Sequence, residues 1–152
     1  MTIGNFIQLK KQTILSQITP GRIVNIYCDF VAPPHEKFII IVNVQPNLLG
    51  FFINSDINAF KRGHQKIANT QLRILQQEHP FLDADSYVDC HSFVSKFTLN
   101  DLVDKITYSP QNIDYHIKCC ISQQLKNDII TELRTSSFLI PIETDKCINA
   151  LN

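Results

Sequence analysis

The sequence predicts an α+β protein built around a small, strongly bent antiparallel sheet. Residues 38–44 (FIIIVNV) form the longest apolar run and are rich in β-branched side chains. Turn-forming segments bound this run, which is typical of a strand buried on both faces and therefore central in its sheet. Shorter strand-like segments surround it, and segments with helical spacing of apolar residues lie at both ends of the chain.

Composition limits the classes of function. The 152 residues carry 14 Lys and Arg against 14 Asp and Glu, so the formal charge is zero. A chain of this length is one domain by default and can bury a core without disulfides. Neutrality gives no general attraction to nucleic acid or membranes, so a nucleic-acid site would have to be a local patch.

Cysteine usage and the N-terminus predict a cytoplasmic protein. Five cysteines without regular spacing argue against a disulfide framework and favour reduced, mostly buried thiols. Lys10 and Lys11 interrupt any signal-peptide pattern, and no apolar segment is long enough to cross a bilayer. We therefore expect no membrane partner.

The first half of the chain alternates between helix and strand patterns. Residues 5–18 form an amphipathic helix that Pro20-Gly21 ends; we expect it to dock on the sheet, with a partner-binding arm as the alternative. Residues 22–30 alternate as a half-buried strand. A polar loop over 32–37, stiffened by two prolines, leads to the central strand and is either a ligand-holding loop or a plain hairpin connection. Residues 51–54 form the third strand.

The middle of the chain contains its one basic stretch, residues 61–73. This stretch has no acid and is either a solvated face or a phosphate-binding surface. Residues 71–76 and 86–91 are predicted as further strands. Alternation along the second of these places Asp89 and His91 together on one face and Cys90 in the core.

The last third predicts two capped helices and an apolar tail. Thr98 and Asp101 form a capping-box pattern for a helix over 98–106, and Ser122 can cap a helix over 123–135. The second helix has an apolar face made by Leu125, Ile129, Ile130 and Leu133. Residues 115–121 favour a strand, residues 138–142 an edge strand that tolerates Pro141, and the final residues a frayed end.

The residues that remain for chemistry are acid–base groups. The sequence contains no Walker loop, GxGxxG, HExxH or GxSxG, and its five histidines are scattered, so we expect no metal or cofactor. His91, His35 and Asp89 are candidate acids or bases, and Lys37 is a candidate phosphate ligand. Such groups can cleave RNA: a base takes the 2′-hydroxyl proton, an acid protonates the leaving 5′-oxygen, and a cation stabilises the phosphorane. Many proteins contain this set, so it does not single out a ribonuclease.

The order of several short motifs resembles the PemK/MazF-like toxins of the CcdB/PemK superfamily. The motifs are Gly21-Arg22-Ile23-Val24, a polar loop, the apolar strand from Lys37, Ile53-Asn54-Ser55, Val88-Asp89-Cys90-His91, and the Ser122 helix followed by Ser-Ser-x-x-Ile-Pro. The resemblance covers residues 21–142.

The resemblance implies a compact SH3-like, strongly bent antiparallel barrel over residues 21–142. Residues 1–20 are then an added N-terminal helix and residues 143–152 a tail. The family implies a homodimer that acts as the toxin of a type II toxin–antitoxin pair, a metal-independent endoribonuclease neutralised by a protein antitoxin. By position, Ser55 matches the family's active-site Ser or Thr, and the loop with His35 and Lys37 matches its substrate-binding loop.

Two departures from the family pattern keep alternatives open. Residues 31–37 contain no arginine, and Asp89 stands where the family places a cation. Either Lys37 or the basic stretch supplies the charge, or the protein is a non-catalytic barrel that binds a protein target such as DNA gyrase, or a small RNA-binding barrel. The predicted catalytic residues are His91, Asp89, His35 and Ser55, and the predicted RNA ligands are Lys37, Lys61, Arg62, Lys66 and Arg73.

Overall fold

A computed structural model describes residues 2–152, apart from the side chain of Ala59, and confirms the α+β class. Within these residues, strands and helices follow in a mixed order. They are α1 (Ile3–Gln17), β1 (Arg22–Cys28), β2 (His35–Asn43), β3 (Leu49–Asn54), α2 (Ala59–Arg62), α3 (Gln65–Ala68), β4 (Gln71–Ile74), β5 (Ser86–Asp89), α4 (Leu99–Thr107), α5 (Ile113–His116), β6 (Ile117–Cys120), α6 (Gln123–Thr135) and α7 (Pro141–Leu151).

The described strands form one antiparallel sheet that curls into a half-barrel, in the order β4-β5-β3-β2-β1-β6. Strand β2 lies inside the sheet, where Ile40 pairs with Ile23 of β1 and with Phe51 of β3. Residues 39–43 of β2 are all buried, which confirms the predicted central strand.

The sheet has a hydrophobic core on each face, because neighbouring residues of β2 point to opposite sides. Ile40 and Val42 belong to the core that helices α6 and α7 complete. Ile39 and Ile41 belong to the second core, which includes Ile14 of α1 and residues of α4. Helices therefore cover both faces, and polar groups of the sheet reach solvent where this cover ends.

The β1–β2 hairpin is longer than the sequence predicts. His35 pairs with Cys28 and Lys37 with Ile26, so backbone pairing extends the strand into the predicted 32–37 loop. The placement of His35 and Lys37 in a loop is therefore wrong. Strand β1 ends at Cys28 instead of residue 30, and its burial does not follow the predicted alternation, because residues 23–26 are all buried.

The two capped helices are confirmed. Thr98 and Asp101 make the reciprocal bonds of a capping box before α4, and the Ser122 side chain accepts a bond from Leu125 N before α6. The four apolar residues predicted for the face of α6 are all buried. Of the segment 115–121, predicted as a strand, only Ile117–Cys120 pairs with β1; a single helical turn precedes it.

The C-terminal prediction is wrong. Residues 138–142 form no strand, because Pro141 opens helix α7 at its first turn, where its fixed φ and missing N–H are favourable. Cys147 and Leu151 of this helix are buried in the core, so the chain end is packed instead of frayed. Cys28 and Cys90 are also buried, Cys119 and Cys120 are exposed, and all five thiols are free.

Close packing of β2 against β3 gives a test of the fold at Gly50. A Cβ at this position would lie 2.5 Å from Ile39 Cγ2 and 2.8 Å from the Ile40 carbonyl oxygen. We expect Gly50→Ala to lower the free energy of unfolding by about 2 kcal/mol, since an overpacked core costs roughly 1–3 kcal/mol. Gly4→Ala in α1 is the control, because its Cβ would meet only Thr2 Oγ1 at 3.9 Å. Equal urea midpoints for both variants would contradict the β2–β3 register.

Candidate functional site

A groove of about 850 Å³ opens where β2 begins and β3 ends. The start of β2, the end of β3, the end of β5 and helix α2 contribute side chains to it. Most of the residues predicted for the site meet here, although they come from four separate segments of the chain. They are His35, Lys37, Ser55, Lys61 and Asp89.

Lys37 reaches the groove because it continues the face of β2 that carries Ile39 and Ile41, beyond the end of the core. Its Nζ donates a hydrogen bond to Asn54 Oδ1 and lies 4.6 Å from the centre of the Phe52 ring. The bond between Lys37 and Asn54 follows from the strand register. Phe38 pairs with Ile53, and the antiparallel direction then places Lys37 beside Asn54. Lys37 is thus half-buried and held in one place.

The Lys37 ammonium pairs with no carboxylate in the part of the chain that the structure describes. The ion pairs found among residues 2–152 involve Lys11, Lys61, Arg62 and Arg73. Burial lowers the pKa of the Lys37 ammonium below its ordinary value, and the positive charge of Lys61 acts in the same direction. Lys37 is therefore a cation suited to pair with an incoming anion, and a stronger acid than an exposed lysine.

Asp89 holds Lys61 in the wall of the groove. The carboxylate is buried and accepts hydrogen bonds from Lys61 Nζ, from Gln71 Nε2 at 2.8 Å and from the His91 backbone N–H at 3.1 Å. Burial alone would raise the pKa of Asp89, but the bonds from Lys61 and Gln71 outweigh it and hold the pKa below its ordinary value. An anion held by three donors is a weak base, so the structure gives Asp89 a positioning role.

His35 and Ser55 lie at the exposed rim of the groove. Nδ1 of His35 is 2.6 Å from the Pro33 carbonyl oxygen. Because a carbonyl oxygen only accepts, Nδ1 carries the proton of the neutral ring and leaves Nε2 as the basic nitrogen. His35 can therefore accept a proton from a bound molecule.

His91 lies outside this groove. Strand β5 ends at Asp89, and the chain then turns, so the prediction that Asp89 and His91 share a strand face is wrong. The imidazole of His91 contacts the Phe138 ring, with centroids 4.7 Å apart, and lines a neighbouring cavity. The catalytic role of His91 stays a prediction from the sequence.

Three of the predicted RNA ligands do not line the groove either. Arg62 is exposed, 3.7 Å from Asp56, and Arg73 on the edge strand β4 pairs with Asp85 at 2.7 Å. Lys66 is exposed on α3. The basic stretch thus folds into two short helices and a strand that point its charges in different directions, and only Lys61 enters the groove.

The groove as a whole is not basic. Its lining includes the carboxylates of Glu36, Asp56, Asp83 and Asp89 and the ammonium groups of Lys37 and Lys61. Attraction for an anion therefore depends on Lys37 locally, and not on a broad positive field.

Sequence reasoning missed the two neighbours that fix Lys37, Asn54 and Phe52. The only sequence signal for them is the hairpin register, since pairing of 38 with 53 places 37 beside 54. It also missed Tyr115, whose hydroxyl donates to Glu36 across 79 residues of sequence. This bond directs one of the four groove carboxylates toward a tyrosine.

No family model, curated protein or solved structure matches this chain. Among residues 2–152, no helix combines the length and apolar character needed to cross a membrane. Nor do three His, Cys, Asp or Glu side chains of that range lie close enough to hold a metal ion. The described lining of the groove includes the ammonium of Lys37, the imidazole of His35, three serine hydroxyls and two asparagine amides.

Proposed function

We propose that the groove binds a phosphodiester of single-stranded RNA and that the protein cleaves RNA without a metal ion. The observation that carries this proposal is Lys37, a half-buried cation that pairs with no carboxylate among residues 2–152 and lies in the same groove as the imidazole of His35. A phosphate would supply the anion that Lys37 lacks, and the Ser55 hydroxyl is within the same lining to donate a further hydrogen bond.

The proposed reaction uses two proton transfers. His35 Nε2 takes the proton of the ribose 2′-hydroxyl, whose oxygen attacks the phosphorus. The bond to the 5′-oxygen breaks, and Lys37, a stronger acid than an ordinary lysine, gives that oxygen a proton. The products are a 2′,3′-cyclic phosphate and a free 5′-hydroxyl. Until it gives up that proton, Lys37 stabilises the charge of the phosphorane, and Lys61, which Asp89 positions, adds a second hydrogen-bond donor.

The toxin identity is part of the same proposal. Support comes from the order of the motifs over residues 21–142 and from the curled antiparallel sheet. The groove also collects Ser55, His35 and Lys37, the positions that resemble the active site and substrate loop of the PemK/MazF-like toxins. On this proposal the protein is a cytoplasmic homodimer with an SH3-like barrel, and a protein antitoxin neutralises it.

A second candidate function is binding without cleavage, to RNA or to a protein target such as DNA gyrase. The specific observation in its favour is Asp89, which stands at a position the family uses for a cation and is held here by three donors. Binding without cleavage predicts that RNA stays intact under all metal-free conditions.

The roles of the two histidines are separable by mutation. We expect His35→Ala to slow metal-free RNA cleavage about a hundredfold, because loss of a general base costs roughly 10²–10⁴ in rate. His91→Ala is the matched variant outside the groove and should cleave at the wild-type rate. The measurement is cleavage of a labelled RNA in EDTA, with folding of each variant checked by circular dichroism.

The opposite pattern would overturn the assignment. Loss of cleavage in His91→Ala alone would move the chemistry to the cavity that His91 lines and restore the sequence-based role of this residue. Intact RNA with the wild-type protein would favour the binding candidate.

A further inference from the structure

A second cavity, of about 590 Å³, lies beside the groove and shares Ser92 with it. Three segments enclose it: the β2–β3 turn over 44–49, the chain after β5 over 91–99, and the connection from α6 into α7 over 138–143. Its volume falls within the range of small-molecule sites, roughly 300–1,000 Å³. Nothing in the proposed ribonuclease mechanism uses this cavity.

The lining is mostly apolar. Aromatic rings and aliphatic side chains face the space, among them Leu48, Leu49, Phe93, Phe97, Phe138 and Leu139. Phe93 is fixed by stacking on the buried Phe51, with centroids 5.1 Å apart and rings 15° from parallel. A ligand would therefore meet a preformed apolar surface on the Phe93 side.

The one carboxylate of the described lining belongs to Glu143, a half-buried residue. Oε2 of Glu143 is buried, and no donor among residues 2–152 lies within hydrogen-bonding distance. Glu143 sits in the first turn of α7, where the helix dipole favours a negative side chain. The Glu143 carboxylate is therefore incompletely hydrogen-bonded by the protein, and a cationic donor that meets it in the cavity adds a charge-assisted interaction.

The ionisable residues of the cavity lining favour a ligand with a positive charge. Glu143 and His91 are the ionisable residues of the described lining, which contains neither lysine nor arginine. Within the described lining, no lysine or arginine competes for Glu143 or repels a positively charged ligand.

We propose that this cavity binds a small organic amine with an aromatic or branched alkyl body. The ammonium pairs with the Glu143 carboxylate, and the apolar body packs against Phe93 and Phe138. The imidazole of His91, whose ring centroid is 4.7 Å from that of Phe138, is a second group of the lining that a ligand can contact. This inference does not depend on RNA binding in the groove.

The test uses phenethylamine as the probe and 2-phenylethanol as its neutral counterpart. Titrations of the full chain are followed by backbone amide NMR, which reports both affinity and location. We expect phenethylamine to shift amides within residues 91–99 and 138–143, and to bind about tenfold more tightly than 2-phenylethanol, since a charge-assisted hydrogen bond is roughly twice as strong as a neutral one.

Two variants separate the carboxylate from the fold. Glu143→Gln should weaken phenethylamine about tenfold and leave 2-phenylethanol unchanged. Asp145→Asn removes a carboxylate from an exposed position of the same helix and should bind like wild type. Three results would each overturn the proposal. They are equal affinity of the two probes, equal affinity of Glu143→Gln and wild type for phenethylamine, and amide shifts confined to other residues. Lys37→Ala should bind the amine as wild type does. Failure of the amine proposal is therefore distinguishable from failure of the RNA proposal.

Discussion

Replacing Lys37 by alanine is expected to slow RNA cleavage at least a hundredfold and to weaken RNA binding. Lys37 is the one described cation of the groove that no carboxylate neutralises, because Lys61 is bound to Asp89. Loss of a charged group that stabilises a transition state costs roughly 10²–10³ in rate. The proton that Lys37 gives to the leaving oxygen is lost as well.

The salt dependence of binding measures how many phosphates the groove contacts. Each neutralised phosphate of a single strand contributes about −0.7 to the slope of log K against log salt. The mixed charge of the groove predicts a shallow slope for the wild type, of roughly one or two contacts. Lys37→Ala should make that slope shallower by about 0.7, the contribution of one phosphate contact.

The control for Lys37 is Lys66→Ala, which removes an exposed lysine of α3 outside the groove. It should cleave and bind as wild type does. A steep salt slope that Lys66→Ala lowers and Lys37→Ala leaves unchanged would locate RNA on the basic stretch instead. Fluorescence anisotropy at several salt concentrations, beside cleavage in EDTA, decides between these surfaces.

The parts of the fold that were predictable carry local signals. The run over 38–44 specified a buried central strand, and Thr98 and Ser122 specified helix starts through caps within three residues. Helix α7 lacked such a signal, since Ile140 at its N-cap makes no side-chain bond and Pro141 is compatible with either an edge strand or a first helical turn. Tertiary burial of Cys147 and Leu151 decided for the helix.

The sequence predicted which residues form the site, but not which of them contact one another. His35, Lys37, Ser55, Lys61 and Asp89 were candidates by residue type, and the structure does bring them to one groove. Their roles depend on contacts between distant segments, such as Lys61 with Asp89 and Lys37 with Asn54. Strand register and the path of α2 set those contacts, and a single sequence does not encode them in any local pattern.

Asp89→Ala is expected to lower the free energy of unfolding by about 3 kcal/mol, because removing one partner of a buried ion pair costs roughly 3–5 kcal/mol. The side chains of Asp89 and Lys61 are only 9% and 18% exposed. The variant would also leave Gln71 Nε2 and the His91 N–H without their acceptor. Urea unfolding followed by circular dichroism measures this loss.

The same residue should make stability depend on pH. The pKa of Asp89 is depressed in the folded protein, so its contribution is fully present above the unfolded value, about 3.9, and is lost as the pH falls through the lower folded value. Asp85→Ala is the control: the pKa of Asp85 is also lowered, chiefly by the Gln76 backbone N–H and by Arg73, but its side chain is 40% exposed and screened by solvent. We expect the pH midpoint of acid unfolding to differ strongly from wild type in Asp89→Ala and only slightly in Asp85→Ala. If Asp89→Ala instead unfolded like wild type in urea and acid, the bond to Lys61 would contribute little to stability, and Asp89 would be free to serve as the catalytic base that the sequence suggests.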